Sequence, residues 1–327
     1  GFVSYFSENL RSDRAKRCYI IKGGPGTGKA RLMSEIAAAA EKKGADVEYY
    51  YCSSDPTSLD GVFITLENGS TLSVIDGTSP HDEDAIIAGA RDDLIDLGAF
   101  WDSGVLFSRR EEIESLLSEK ADAMRRAYSC LAAAGALYKS ACALRASCAD
   151  KEGITLRAKA VASALLPTRG MRSPLSSVGM KGCVRFDSFR RAAKRVVAVN
   201  DSKECPISYL FFGAIRDMMH GKCRSSPDLL LPEHCEGVLC GDTAVIPFAV
   251  DEEVIELSSC VDLGAYSKIR DEVSELESAK KAAFAAAQRA FSDVADAHFA
   301  LESIYSSAMD FSKKEAHSAY LCDHILA

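Results

Sequence analysis

Hydrophobic positions in the first third of the chain come in short runs whose period switches. Arg17–Lys22 (RCYIIK) is a β-rich run, and within 29–43 the residues Leu32, Ile36, Ala39 and Ala40 keep a helical spacing that Gly44 ends. Residues 46–52 (DVEYYYC) predict a second strand, and 61–66 (GVFITL) with the following Asn-Gly-Ser predict a strand and a tight turn. Thr71–Asp76 (TLSVID) is a further apolar strand that closes on an acid. Strands alternating with helices in this way predict an α/β fold on a parallel sheet with right-handed crossovers.

Beyond Arg109 the pattern turns helical. Ile113, Leu116, Met124, Ala127, Leu131 and Ala134 hold a near-heptad step interrupted by Lys120, and a second helical run over 154–166 stops before Pro167. Residues 167–180, rich in Pro, Gly, Ser and Met, read as a linker. The pattern then recurs. At a constant offset of 160, Ile113 pairs with Val273, Leu116 with Leu276, Lys120 with Lys280, Met124 with Phe284, Leu131 with Phe291 and Ala134 with Val294, without a gap. The segment DLIDL at 93–97 matches EVIEL at 253–257 at the same offset, and upstream LSVID at 72–76 faces TAVIP at 243–247. This predicts an internal duplication, each copy a sheet followed by a helical hairpin, with domains at 1–172 and 173–327.

Composition narrows the class without naming a chemistry. The 327 residues are 47% hydrophobic and 26% charged, as expected of a globular protein with a buried core. A net charge of −8 argues against a broad nucleic-acid footprint, which needs clustered Lys and Arg. The twelve cysteines include no C-x-x-C pair, which suits a reducing, cytoplasmic setting. Cys235 and Cys240 beside His234 have ligand chemistry, but read as small buried residues. The apolar stretch CLAAAGALYKSACAL is broken by Lys139 and too short for a bilayer, so no membrane partner is expected. The sequence opens at Gly1 rather than Met, so a preceding segment stays open.

One stretch carries specific chemistry. Gly23, Gly24, Pro25, Gly26, Thr27, Gly28 and Lys29 fit G-x-x-x-x-G-K between a strand and a helix. Glycines let backbone N–H groups turn inward around an anion, the helix N-terminus adds its positive dipole, and Lys29 would reach the β- and γ-phosphates. Ala30 stands where a hydroxyl normally coordinates Mg²⁺, which puts metal-assisted transfer in doubt while leaving phosphate gripping possible. Asp76 fits the acid that orients Mg²⁺ at the sheet edge, although Gly77 follows it instead of a second acid. Asp55 either activates a nucleophile or caps the turn before Pro56, the cap being favoured. His81 could sense a γ-phosphate, and Arg91, Arg109 and Arg110 could neutralise phosphate charge, against plainer roles as a loop histidine and a solvated helix face. In the second copy the strand RVVAV runs into residues 200–208 (NDSKECPIS), which hold no glycine and place Glu204 where an anion would sit. Lys203 survives there, but Pro247 replaces the acid equivalent to Asp76.

The segments GFVSYF, YIIKGGPGTGK, DVEYYYCSSDPTSLDGV, VIDGTSPH and DLIDLGAFWD resemble a little-characterised bacterial family of tandem P-loop proteins described as ATPases or nucleotide-kinase-like. The resemblance is specific over 1–115 and architectural beyond. It implies a P-loop NTPase fold with a three-layer parallel sheet, appended helical hairpins and an internal duplication. It also implies phosphate contacts from Gly23, Gly28 and Lys29 and a metal role for Asp76. The pattern has Ser or Thr at position 30 and often a second intact loop, and this chain departs from both. The leading expectation is an ATP- or GTP-binding protein with at most slow hydrolysis, using the N-terminal loop only. A phosphotransferase acting on a nucleotide or small-molecule acceptor, its acceptor site lined by the loops of Asp55 and DGTSPH, is the second. A silent nucleotide sensor or scaffold offering its helical hairpins to a protein partner is the third.

Overall fold

The computed structural model describes residues 5–10, 14–79, 81–247 and 253–326. The GFVS of the opening segment and Pro80 of VIDGTSPH lie outside the described residues. In chain order the elements are α1 (Phe6–Leu10), β1 (Arg17–Lys22), α2 (Lys29–Lys42), β2 (Asp46–Tyr51), β3 (Leu59–Thr65), β4 (Thr71–Asp76), β5 (Asp92–Asp96), α3 (Ser103–Ser108), α4 (Arg110–Ser147) and α5 (Lys151–Ser163). They continue with β6 (Met171–Arg172), β7 (Ser176–Gly179), β8 (Gly182–Arg185), α6 (Ser188–Ala192), β9 (Arg195–Asn200), α7 (Ser208–Met218), β10 (Arg224–Pro227), β11 (Cys235–Cys240), β12 (Thr243–Pro247), β13 (Glu253–Glu256), α8 (Leu263–Ser267), α9 (Arg270–Ala308) and α10 (Phe311–Ile325). Residues 167–180, expected as a linker, thus contribute β6 and β7.

The chain forms two compact units, each assembled from separated segments. One comprises residues 6–125, 179–181 and 290–327; the other comprises 1–5, 126–178 and 182–289. The sequence places its boundary at 172/173, and both units draw chain from either side of that point.

The first unit is built on a five-stranded sheet in the order β2-β3-β4-β1-β5. β1 is central and parallel to both β4 and β5, with Ile21 opposite Asp76 and Lys22 opposite Asp96. β2–β3 and β3–β4 are antiparallel, so the sheet is mixed, not parallel as expected. The connections explain this: a parallel return needs a crossover of about a dozen residues or more. Residues 52–58 and 66–70 supply only turns, the second closed by Asn68 and by Gly69 at φ +76°. Leu32, Met33, Ile36, Ala37 and Ala40 line the buried stripe of α2 and pack with Tyr19, Ile21, Val62, Ile64 and Val74 of the sheet. The end of α10 closes the same core through Leu321 and Ile325.

The second unit carries a six-stranded sheet in the order β13-β9-β12-β11-β10-β6. β9 is parallel to β12 and β13, while β11 is antiparallel to β12 and β10. Its core is formed by α7, whose Phe211, Phe212 and Ile215 are fully buried, against Ile154, Ala158 and Val161 of α5. Cys235 and Cys240 are buried in this core, and the ring of His234 stacks on Tyr209 with centroids 4.8 Å apart.

Within each unit the same joint recurs. In the first, Trp101 bridges Met309, Asp102 N donates to Ala308 O, and Asp310 N donates to Phe100 O. In the second, Ala149 bridges Val261, Asp262 N donates to Cys148 O, and Asp150 N donates to Cys260 O. Asp102, Asp150, Asp262 and Asp310 each cap the helix that follows with a side-chain oxygen. No helix is long and apolar enough to cross a membrane among the described residues.

Candidate functional site

β1 delivers the glycine-rich loop to the carboxyl edge of the first sheet, and α2 leaves from its far side. Gly28 is the N-cap of α2 at φ +86°, ψ +24°, a left-handed conformation that excludes most side chains, and no side chain caps the helix. Thr27 is fully buried and its Oγ1 donates to Gly24 O at 2.9 Å, bracing the turn. Among the described residues, the backbone N–H groups of Gly24 and of residues 26–31 have no hydrogen-bond acceptor. A run of unpaired amides at a helix N-terminus is the arrangement that binds an anion.

The predicted residues gather unequally. Lys29 Nζ donates to Gly23 O at 3.0 Å and Gly24 O at 2.8 Å and lies 3.6 Å from Asp76 Oδ2, so the lysine, the loop and the acid meet. Asp76 Oδ1 accepts from Thr78 N at 2.8 Å and Thr78 Oγ1 at 2.5 Å. Ala30 presents a methyl group. One carboxylate with an oxygen on Thr78 and the other 3.6 Å from Lys29, and no hydroxyl at residue 30, is not a donor set that fits Mg²⁺, which asks for oxygen ligands in octahedral array. Among the described residues no group of three His, Cys, Asp or Glu is placed to hold a metal ion. Asp55 Oδ1 accepts from Thr57 N at 3.0 Å and from Thr57 Oγ1 at 2.6 Å, the bonding of a turn cap. Arg91 binds the buried Asp92, while Arg109 and Arg110 pair with Glu112 and Glu114 on an exposed helix face.

His81 has a partner. Its Nε2 lies 3.0 Å from Asp60 Oδ2. Burial alone would lower its pKa, but the hydrogen bond and charge of Asp60, with Asp76 and Glu83 behind them, raise it above the ordinary histidine value.

Other residues at the loop lie too far along the chain for sequence spacing to bring them forward. The ring of Tyr305 on α9 covers Gly24, where an added Cβ would meet it at 2.6 Å. Ser306 Oγ donates to Gly26 O at 3.1 Å. Next to them runs a chain of groups: Lys120 Nζ lies 3.1 Å from His298 Nδ1, and His298 Nε2 lies 3.5 Å from Glu302 Oε1. Lys120 was the polar break in the heptad, and here its half-buried ammonium is depressed by desolvation and by the charge of Lys29. The hydrogen bond from His298 lowers the Glu302 carboxyl against its burial. Lys314 on α10, 1% exposed, reaches Gly28. Its signal was in the repeat: at the offset of 160 it faces Ile154, a buried core residue of the other unit.

The loop that follows β9 in the second unit is closed by one of its own side chains. Asp201 Oδ1 accepts from Ser202 N and Ile207 N, each at 2.8 Å, and Oδ2 accepts from Ser208 N at 2.8 Å, at the start of α7. Ser202 Oγ accepts from Cys205 N at 3.2 Å. Asp201 thus fills the place expected for Glu204, which instead pairs with Arg270 at 2.8 Å.

No protein-family model, curated protein or solved structure matches the chain.

Proposed function

We propose that the first unit binds the phosphate chain of a nucleotide, ATP or GTP, on the loop 23–30, and that the second unit is a degenerate copy of the same P-loop design. The observation that carries this reading is the contrast between the two loops. One leaves a run of amides at a helix N-terminus without an acceptor, beside a lysine. The other satisfies its amides with the carboxylate of Asp201. Unpaired backbone donors are costly unless a ligand or water takes them, and an anion carrying several oxygens matches them best. The duplication rests on the repeat at 160 residues, on the matching strand orders around β1 and β9, and on the recurring joint at Trp101–Met309 and Ala149–Val261.

Hydrolysis on this reading is slow at most, since Ala30 offers no metal ligand and Gly77 no second acid. The phosphotransferase reading keeps one supporting observation, the carboxylate of Glu302 held by His298 close to the loop, a group able to accept a hydrogen bond from an acceptor hydroxyl and orient it.

Thermal unfolding with ATP and GTP, with and without Mg²⁺, tests the proposal. A hundredfold excess over Kd stabilises the folded state by about 2.7 kcal/mol, a shift of roughly 5–10 °C. Lys29→Ala is expected to abolish that shift. No shift with either nucleotide, or an equal shift in Lys29→Ala, would overturn nucleotide binding at this loop.

Ala30→Ser supplies a second measurement. Restoring the hydroxyl is expected to make the ATP-induced shift larger in Mg²⁺ than in EDTA and to raise any Mg²⁺-dependent turnover. Unchanged affinity and unchanged turnover would show that the missing hydroxyl is not what limits the site.

A further inference from the structure

We propose that Lys314 is the second cation of the phosphate site, and that the site takes a ligand of at least two linked phosphates as the metal-free polyanion. This rests on the nucleotide reading and deepens it.

Lys314 projects from α10 against the first turn of α2. The residue is 1% exposed, and a Cβ added at Gly28 would lie 3.3 Å from its Cε and 3.4 Å from its Nζ. Its ammonium makes no hydrogen bond or ion pair with any described residue. The acids nearest in charge, Glu35 and Glu315, are both taken by Arg31, at 2.9 and 3.2 Å. A buried ammonium with no partner is expensive, and here it sits at the positive end of a helix dipole, which makes it more so. The position itself tolerates an apolar residue, because its counterpart at the offset of 160 is the buried Ile154. Desolvation lowers the Lys314 pKa, in keeping with an uncompensated charge.

An anion at the loop relieves these costs together. It would accept from the free amides of residues 26–31, take Lys29 away from the carbonyls of Gly23 and Gly24, and give Lys314 the counter-charge it lacks. Two ammonium groups and a helix terminus suit a chain of phosphates better than a single one. They also supply the positive charge that a divalent ion brings elsewhere, at a site whose Ala30 and occupied Asp76 do not fit that ion.

The test is calorimetric titration of the full chain with ATP and with inorganic pyrophosphate, in EDTA and in Mg²⁺, on wild type, Lys29→Ala, Lys314→Met and Lys314→Gln. Wild type is expected to bind both ligands in EDTA at least as tightly as in Mg²⁺. Either Lys314 variant is expected to lose about tenfold or more in affinity in EDTA. Lys314→Met is also expected to unfold at a higher temperature than wild type without ligand, since it removes an unpaired buried charge; a merely structural lysine would give the opposite. Full affinity in the Lys314 variants, with loss in Lys29→Ala, overturns the role of Lys314 and leaves the nucleotide reading standing. Wild-type binding that requires Mg²⁺ overturns the metal-free site, and needs no variant to fold. Wild-type affinity in Lys29→Ala overturns the nucleotide reading itself.

Discussion

Gly26→Ala is expected to destabilise the first unit by about 2–4 kcal/mol, lowering its melting temperature by roughly 5–15 °C. Two causes add. Gly26 has φ +69°, where an L-residue costs about 1–2 kcal/mol. The new methyl would also lie 2.8 Å from the backbone oxygen of Glu302 and 2.5 Å from Ser306 Oγ. The serine can rotate away, but the helical carbonyl cannot, so α9 or the loop has to shift. Gly69→Ala isolates the first cause. Gly69 has φ +76° and open space around its would-be Cβ, so only the conformational cost applies there. Equal losses in the two variants would show that α9 does not approach the loop as described. The same clash is expected to displace the loop amides, so Gly26→Ala should lose nucleotide-induced stabilisation as well.

The second large effect is at Asp92, the first residue of β5, which is 1% exposed. Its carboxylate accepts from Arg91 Nε at 2.8 Å and Nη2 at 3.0 Å, and from the amides of Ile86 at 2.8 Å and Ile87 at 2.9 Å. The bond from Arg91 holds the carboxyl well below the usual range, against the opposing effect of burial, with the two amides helping. Asp92→Ala is expected to cost about 3–5 kcal/mol at neutral pH, because it leaves a guanidinium and two amides without their acceptor. The pH dependence has a definite sign. A carboxyl depressed on folding adds stability that is fully present above the unfolded value of about 3.9 and is lost as pH falls through the folded value. Wild type should therefore lose stability steeply below about pH 4, and Asp92→Asn, less stable at neutral pH, should lose less over the same range. Parallel curves for the two proteins in urea unfolding from pH 7 to pH 2 would show that Asp92 does not carry this charge–charge contact.

Neither effect could be assigned from the sequence, and the reasons differ. Gly26 belongs to a visible motif, but the motif explains it by an anion, whereas the nearest atoms that require a glycine belong to α9, some 280 residues along the chain. Asp92 carries no sequence signal of its own, since a buried acid and an exposed one look alike in a polar loop. Arg91 beside it is by charge alone a candidate phosphate neutraliser or part of a solvated helix face, and the structure gives its guanidinium to Asp92 instead.

What the sequence determined by itself is local. A β-rich run, a glycine-rich turn and a helix in register specify β1, the loop and α2, because glycine backbone freedom and hydrophobic period act over a few residues. The same local chemistry shows Ala30 in place of a hydroxyl, and no glycine in the second loop. The helical spacing of apolar residues after Arg109 and after Ile269 likewise marks the two long helices α4 and α9. Tertiary structure decided the rest. It set the antiparallel pairing of β2, β3 and β4, where short connections overrode the expected parallel sheet. It put the carboxylate of Asp201, not Glu204, on the second helix terminus. It also carried Lys120, His298, Glu302 and Lys314 to a loop that starts at residue 23. A lysine on an amphipathic helix has the same local signature whether its ammonium faces water or a helix N-terminus. Only the packing of α10 against α2 buries this one and leaves it without a partner.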